Sequence, residues 1–337
     1  MTAPLITVLV PTYQGEAHVA ETLRSVLAQT HERLEVIVGD DGSTDGTVEL
    51  VREVTRGDER VRIDAHANLG IFANPIHLLR QANGSLVKFL LQDDLLEPTA
   101  IERLVAPMTD PGIALSTSRR RRIDGKGAEL PEIPATSAIV GQPGRLDGRT
   151  LGSHLLLGQL NRIGELSTVL YRRDVLDPDT LWDFPGWAVR GNGDVVVHLK
   201  ALAAGDAWYE PDALSSFRTH EGQYGSRPEV AIDCTVDWPH LITGSRRLGF
   251  LPDHAMEQAA LTGWLRYAGV FHASVAAEPT AGDVLDAMAA AIDRLRTLRS
   301  GDVASITPPW PMCSCRNDGS PAAGGSTSPV SRTAAGT

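Results

Sequence analysis

Continuous apolar runs alternate with helical stripes through the first 117 residues. Residues 5–10, LITVLV, form a β-branched run with no polar face, as in a strand buried on both sides, and the next segment sets Val19, Leu23, Val26 and Leu27 along one helical face. Residues 34–41, LEVIVGDD, repeat the strand pattern and end in acid. A helix is expected next, opened by Ser43 and Asp45 and turning Val48, Val51 and Val54 inward. Residues 61–65 and 85–92 read as further strands. Pro98 suits a first helical turn, after which Ile101, Leu104, Val105 and Met108 recur at helical spacing, and residues 112–117 close the series as a strand.

The pattern then changes. Residues 118–150 break into Gly, Pro and charge, including Arg119 to Arg122, and read as a mobile connection whose arginines are solvated rather than gathered for an anionic acceptor. Order returns at residues 166–176, and a helix is predicted from near Gly193 with Val196, Leu199 and Leu202 inward. Three helical patterns follow at about 232–250, 253–275 and 281–299, and the Ser, Gly, Pro and Thr-rich tail beyond Ser300 reads as disordered. Strands alternating with helices imply an α/β fold with a mostly parallel sheet covered on both faces. Ligands of such sheets sit beyond the carboxyl ends of the strands, and that is where PTYQG (11–15), DDGSTDG (40–46) and QDD (92–94) fall.

Composition narrows the function. At 337 residues the chain suits one main core with an appended segment. With 31 basic and 42 acidic residues it carries a formal charge of −11, which argues against nucleic acid or an anionic membrane as a partner. Cys234 stands alone and Cys313 and Cys315 lack a second pair, so neither a disulfide framework nor a zinc site is expected, and a reducing, cytoplasmic setting is. The first apolar run is too short for a signal segment, and no apolar span approaches the roughly 20 residues of a membrane helix.

The chemistry lies in acids. No phosphate-binding P-loop, His-Glu-x-x-His or Gly-x-Ser-x-Gly occurs. In FLLQDDLLEP, residues 89–98, Asp93 and Asp94 sit behind apolar residues with nothing basic in the stretch. Adjacent carboxylates repel unless a cation relieves them, which leaves two readings: a hard ion, Mg²⁺ or Mn²⁺, shared with a phosphate ligand, or acids that cap the next helix. Trp182, Trp187 and Trp208 serve equally well as sugar platforms or as core.

ITVLVPTYQG, VLAQTHERLEVIVGDDGSTDGT, the segment ending in FLLQDD, STVLYRRDVL, GNGDVVVHLK and FRTHEGQYGS occur in the order seen in the family 2 glycosyltransferases, which have the GT-A fold. The resemblance covers about residues 4 to 227. It implies an inverting enzyme that moves a sugar from a nucleoside-diphosphate donor, UDP or dTDP, to an acceptor hydroxyl. Residues 1–117 would bind the donor and 118–230 the acceptor, with 231–299 a helical extension for packing or dimerisation. The resemblance places Pro11, Tyr13 and Asp41 on the nucleoside, with Asp40 as a brace. Asp94 falls on the metal, Asp93 on metal or ribose, Gln92 on sugar or ribose, and Arg218 and His220 near the diphosphate or metal. Asp194, early in a helix, takes the place of the general base. Gln92 departs from the triple-acid form of the motif. Rival readings are a binding or scaffold subunit and a sugar-nucleotide pyrophosphorylase, though the glycine-rich basic loop of the latter is replaced here by PTYQG.

Overall fold

The computed structural model describes residues 3–298, so the tail expected to be disordered lies outside the described residues. Its first part runs β1 (Ile6–Thr12), α1 (Val19–Leu27), β2 (Leu34–Asp40), α2 (Thr47–Val54), β3 (Val61–Ala65), α3 (Ala73–Leu79) and β4 (Leu86–Phe89). Next come β5 (Leu95–Leu96), α4 (Ala100–Val105), β6 (Ile113–Asp124), β7 (Glu129–Leu130), β8 (Gly144–Leu146), α5 (Gly148–Gly158) and β9 (Leu170–Arg172). The hairpin β10 (Asp183–Phe184) and β11 (Trp187–Ala188), then α6 (Gly193–Ala204) and β12 (Asp206–Thr219), lead to three terminal helices: α7 (Pro228–Ser245), α8 (His254–Val275) and α9 (Gly282–Thr297).

One sheet joins both parts in the order β3-β2-β1-β4-β9-β6-β12-β5. Neighbours β3, β2, β1 and β4 are parallel, β9 runs against both β4 and β6, and β12 is parallel to β6. The apolar run of β1, interrupted only by Thr7 as far as Val10, follows from burial on both faces. Ile6, Val8 and Val10 pack with α1 and α4 residues such as Leu23 and Ile101, whereas Leu9 joins Ile37, Phe89 and the α6 to α8 side chains in the opposite core. Each such side chain contributes about 1.5–3 kcal/mol on burial. The chain leaves β1 for β2 on one side and meets β4 on the other, so a crevice opens at the carboxyl ends of β1 and β4. No helix among the described residues is long and apolar enough to cross a membrane.

Residues 118–150 are not the mobile connection that their composition implies. Strand β6 continues to Asp124, flanked by β12 and β7, and carries the four arginines inside the sheet. Arg120 is 3% exposed, pairs with Glu165 at 2.6 Å and donates to the carbonyls of Ala135 and Asn161. Arg121 pairs with Glu97 and Arg119 with Glu132, so three of the four are neutralised by protein carboxylates, while Arg122 donates to the Pro131 carbonyl. The strand expected over 85–92 stops at Phe89. Leu91 N–H donates to the Ser167 hydroxyl and Asp94 N–H to the Leu91 carbonyl, turning Gln92 to Asp94 off the sheet and into the crevice.

Candidate active site

The loop after β1 is braced by residues from two other strands. Gln92 clasps the Tyr13 backbone from both sides, its Oε1 accepting from Tyr13 N–H (2.8 Å) and its Nε2 donating to the Tyr13 carbonyl (3.0 Å). The amide that stands in for an acid is therefore engaged in shaping the loop. Pro11 lies in β1 itself, and the Tyr13 ring is 50% exposed, open to a planar ligand. Asp40 accepts from the Thr12 and Ser43 hydroxyls and Ser43 N–H, as expected of a brace. Ser43 consequently does not cap α2; Asp45 does part of that work by accepting from Thr47 N–H. Asp41 is 3% exposed and accepts from the backbone N–H groups of Leu69 and Gly70, tying the loop before α3 to the end of β2.

Asp93, Asp94, Arg218 and His220 form a second group, joined by the run of β12 beside the β4 turn. Asp94 is 1% exposed; Oδ1 accepts from Arg218 N–H (3.0 Å), while Oδ2 has no hydrogen-bond partner. Burial, with the Asp93 charge adding to it, raises the Asp94 pKa well above the usual carboxylate range. Arg218, 1% exposed, donates to the Asp93 carbonyl (2.8 Å) and to Glu21 (2.6 Å), which holds its guanidinium against protein. Asp93 faces outward and meets His220 Nε2 at 3.0 Å, and the His18 ring lies 4.8 Å from that of His220. His18 titrates below the ordinary histidine value through burial, then the charges of Arg218 and His220.

No group of three or more His, Cys, Asp or Glu side chains among the described residues is arranged to hold a metal. Mg²⁺ commonly takes only one or two carboxylates and completes its shell with substrate phosphate and water. Two adjacent ligands at about 2.1 Å from an octahedral ion are roughly 3 Å apart; Asp93 Oδ2 and His220 Nε2 stand 3.0 Å apart as a hydrogen-bonded pair, so an ion held by both would take the place of the proton between them. The pair fits an ion that also binds a diphosphate; Asp94, closed off behind them, supports the turn. Asp94→Ala leaves the buried Arg218 N–H without its acceptor, at a cost of about 1–3 kcal/mol. Scanning calorimetry is expected to show a melting temperature about 2–6 °C lower, with Asp94→Asn, which keeps an acceptor, within about 2 °C of the parent.

Asp194 sits in the first turn of α6, partly accessible but closely surrounded. Asn161 Nδ2 donates to its Oδ2 (2.7 Å) and Val195 N–H to its Oδ1 (2.7 Å). Burial pushes its pKa up to about 6, and the nearby Glu165 carboxylate adds to the shift. The Glu165 charge raises Asp94 as well, so one carboxylate lies near both acids. The loop carrying Asn161 and Glu165 is held from behind by a buried relay. Tyr171 hydroxyl donates to His198 Nδ1 (2.8 Å), and His198 Nε2–H donates to the Gly164 carbonyl (2.7 Å). Burial takes His198 down to about 4, keeping it neutral and able to accept at Nδ1. Gly164 has φ +118°, and a Cβ there would sit 2.7 Å from Thr168 Cβ, so only glycine closes this turn.

Several of these groups were not foreseen. Lys88, one residue before the quoted acidic stretch, is fully buried, donates to the Ser167 carbonyl (2.6 Å) and is drawn down to about 7 by burial, with the Asp94 charge opposing. A lysine in an apolar strand was the available signal. Glu21, His18 and Asn161 left none, because their partners are distant in sequence. Arg172 donates to the carbonyls of Ile113 and Met108. Trp182 Nε1 donates to the Phe72 carbonyl, Trp187 Nε1 to Asp237, and Trp208 packs against the core, so all three are accounted for within the protein.

Known proteins share this fold. The structure of S. aureus TarS residues 1–349 in complex with UDP-GlcNAc superposes with a TM-score of 0.57 at 19% identity, over 87% of this chain and 90% of that one, which shows the GT-A fold. A Haemophilus influenzae protein described as an uncharacterized glycosyltransferase is 36% identical over 104 residues, 30% of this chain and 32% of its own length. The putative teichuronic acid biosynthesis glycosyltransferase TuaG of Bacillus subtilis is 32% identical over 114 residues, 34% of this chain and 45% of TuaG. The chain thus spans less than half the length of either relative. The model of glycosyl transferase family 2 matches residues 7–177, β1 through the turn after β9 and so half of the chain, and to that family this protein belongs.

Proposed function

We propose that the chain transfers a sugar from a nucleoside-diphosphate donor to an acceptor hydroxyl by a single inverting displacement. The observation that carries this reading is the Asp93 and His220 pair at the turn after β4, with the Glu165 carboxylate close enough to both the adjoining Asp94 and the partly accessible acid Asp194 to raise each of them. Tyr13 offers an exposed ring for the base, and the binding of UDP-GlcNAc by TarS favours a uridine or thymidine donor. Residues up to about 117 hold the donor, and those from about 118 to 230 the acceptor.

Asp93 and His220 would hold Mg²⁺ or Mn²⁺ together with the diphosphate, and the ion when bound supplies positive charge against the leaving group. Asp194 accepts the proton of the acceptor hydroxyl as its oxygen attacks the anomeric carbon and the bond to the diphosphate breaks. Asn161 orients that carboxylate by donating to Oδ2. The Asp194 position early in α6 favours the ionised form, whereas burial and Glu165 make it a stronger base than a surface aspartate.

The test is a transfer assay over a panel of UDP- and dTDP-sugars and acceptor alcohols, followed by a pH profile. Only the deprotonated base works, so kcat should rise about tenfold per pH unit below about 6 and level off above it. The absence of transfer with every donor, together with no binding of UDP or dTDP in the presence of Mn²⁺, would turn the reading toward a scaffold subunit.

A further inference from the structure

Helix α7 lies outside the residues matched by the family model, yet it carries a buried acid, Asp237, that accepts from more donors than Asp94, Asp194 or Asp41. Asp237 is 0% exposed. Its Oδ2 accepts from the N–H groups of Gly191 (2.8 Å) and Asn192 (2.8 Å), and its Oδ1 from Arg190 N–H (3.0 Å) and Trp187 Nε1 (2.7 Å). Three successive backbone N–H groups thus form a concavity of the kind that binds anions, and the anion is a side chain of the same protein. The segment they belong to, Arg190 to Asn192, enters α6 one residue before Gly193 and two before Asp194.

Other contacts fasten the same segment to the C-terminal helices. Asn192 leaves its helix uncapped and instead donates from Nδ2 to the Cys234 carbonyl (2.6 Å). At Gly191 a Cβ would stand 2.7 Å from the Cys234 backbone nitrogen, so the loop rides directly on α7. Arg190 pairs with Asp233 of α7 (2.7 Å) and Asp283 of α9 (2.8 Å), and the Trp187 ring stacks on His240 at 3.5 Å. The anchor is itself rigid. Pro239 denies the Thr235 carbonyl its helical donor, and Trp264 Nε1 of α8 supplies one at 3.0 Å.

We propose that Asp237 is the positioning residue of the active site: it sets the Arg190 to Asn192 turn, and through it the start of α6, so that the Asp194 carboxylate meets the acceptor hydroxyl. The proposal rests on the reading of Asp194 as the base. It makes the C-terminal helices part of the catalytic apparatus rather than an appendage. It also explains why a charged side chain occupies the middle of a buried helix, since an apolar residue there would strand four donors.

Asp237→Asn keeps the shape but turns one acceptor atom into a donor facing N–H groups. Hydrogen exchange in the full-length protein should rise at least about 30-fold at the amides of Arg190 to Asn192 and stay unchanged in β1. UDP should bind with Mn²⁺ at unchanged stoichiometry, while turnover of the sugar nucleotide that the parent uses fastest falls about 100-fold, as for a small misplacement of a reacting group. Unaltered exchange at 190–192 overturns the proposal, as does a loosened turn with turnover within twofold of the parent. UDP stoichiometry that falls in step with turnover overturns it too, since that marks a loss of folded protein alone. Should Asp237→Asn not fold, Trp187→Phe removes one donor while keeping a ring on His240, and a rise in exchange of about threefold is expected; no rise counts against the clamp. Asp194→Asn measured alongside separates the two claims, for parental turnover there removes the base assignment while exchange at 190–192 still reports on Asp237.

Discussion

Asp194→Asn is expected to slow sugar transfer by about 100- to 10,000-fold and to leave nucleotide binding unchanged. The substitution retains size and one acceptor oxygen, so one of the two hydrogen bonds from Asn161 and Val195 N–H survives, and it removes the ability to take a proton. In barrier height the loss corresponds to about 3–5 kcal/mol. Asp194 makes no hydrogen bond or ion pair with Tyr13, Asp41, Asp93 or His220 among the described residues, so the donor side should not register the change. Single-turnover transfer measured beside a calorimetric titration of UDP with Mn²⁺ separates the two effects. Parental turnover by the variant would remove Asp194 from the mechanism, and weakened UDP binding would place it on the donor instead. The same variant should also lose the rise in rate below pH 6, because the group responsible is gone.

What the chain announces in advance and what it conceals follow from where the compensating groups reside. Strands β1 and β2 are legible because both of their faces are buried, so every position along Ile6–Val10 except Thr7, and every one along Val36–Val38, is apolar. The acid at the end of β2 is legible because turn chemistry is local: Asp40 accepts from the N–H and hydroxyl of Ser43, three residues on. Arg119 to Arg121 mislead because Glu132, Glu165 and Glu97, which neutralise them, come from three separate segments. Strand β12 was not foreseen either, since Glu210, Pro211 and Asp212 interrupt its apolar pattern where its register with β6 shifts. Helix α3 was missed for a similar reason: Asn74 is buried within it, donating to the Gly39 carbonyl, so a polar residue stands where periodicity expects an apolar one. Gln92 departs from the familiar acid, and its meaning emerges only with the Tyr13 backbone beside it. Asp237 shows no motif at all, because its four donors lie 45 to 50 residues upstream.

Asp93→Asn is expected to weaken ion-dependent binding of UDP by about 100-fold and to leave the weak binding seen without the ion unchanged. The asparagine Oδ1 can still accept from His220 Nε2–H, so the protein's own geometry survives and only the negative charge is withdrawn. That distinguishes the variant from Asp94→Ala, whose defect lies in the packing of a buried turn. His220→Ala should show the same dependence on the ion, because imidazole and carboxylate stand at the spacing of two adjacent ligands. The decisive quantity is their coupling. If both atoms bind one ion, the doubly substituted protein binds UDP about as weakly as Asp93→Asn alone, since an ion already lost cannot be lost again. Losses that add would mean that the two side chains contact the nucleotide independently, and equal UDP binding by Asp93→Asn and the parent in Mn²⁺ would remove the metal from the proposal. Calorimetric titrations with Mn²⁺, with Mg²⁺ and with chelator read all three outcomes on one scale.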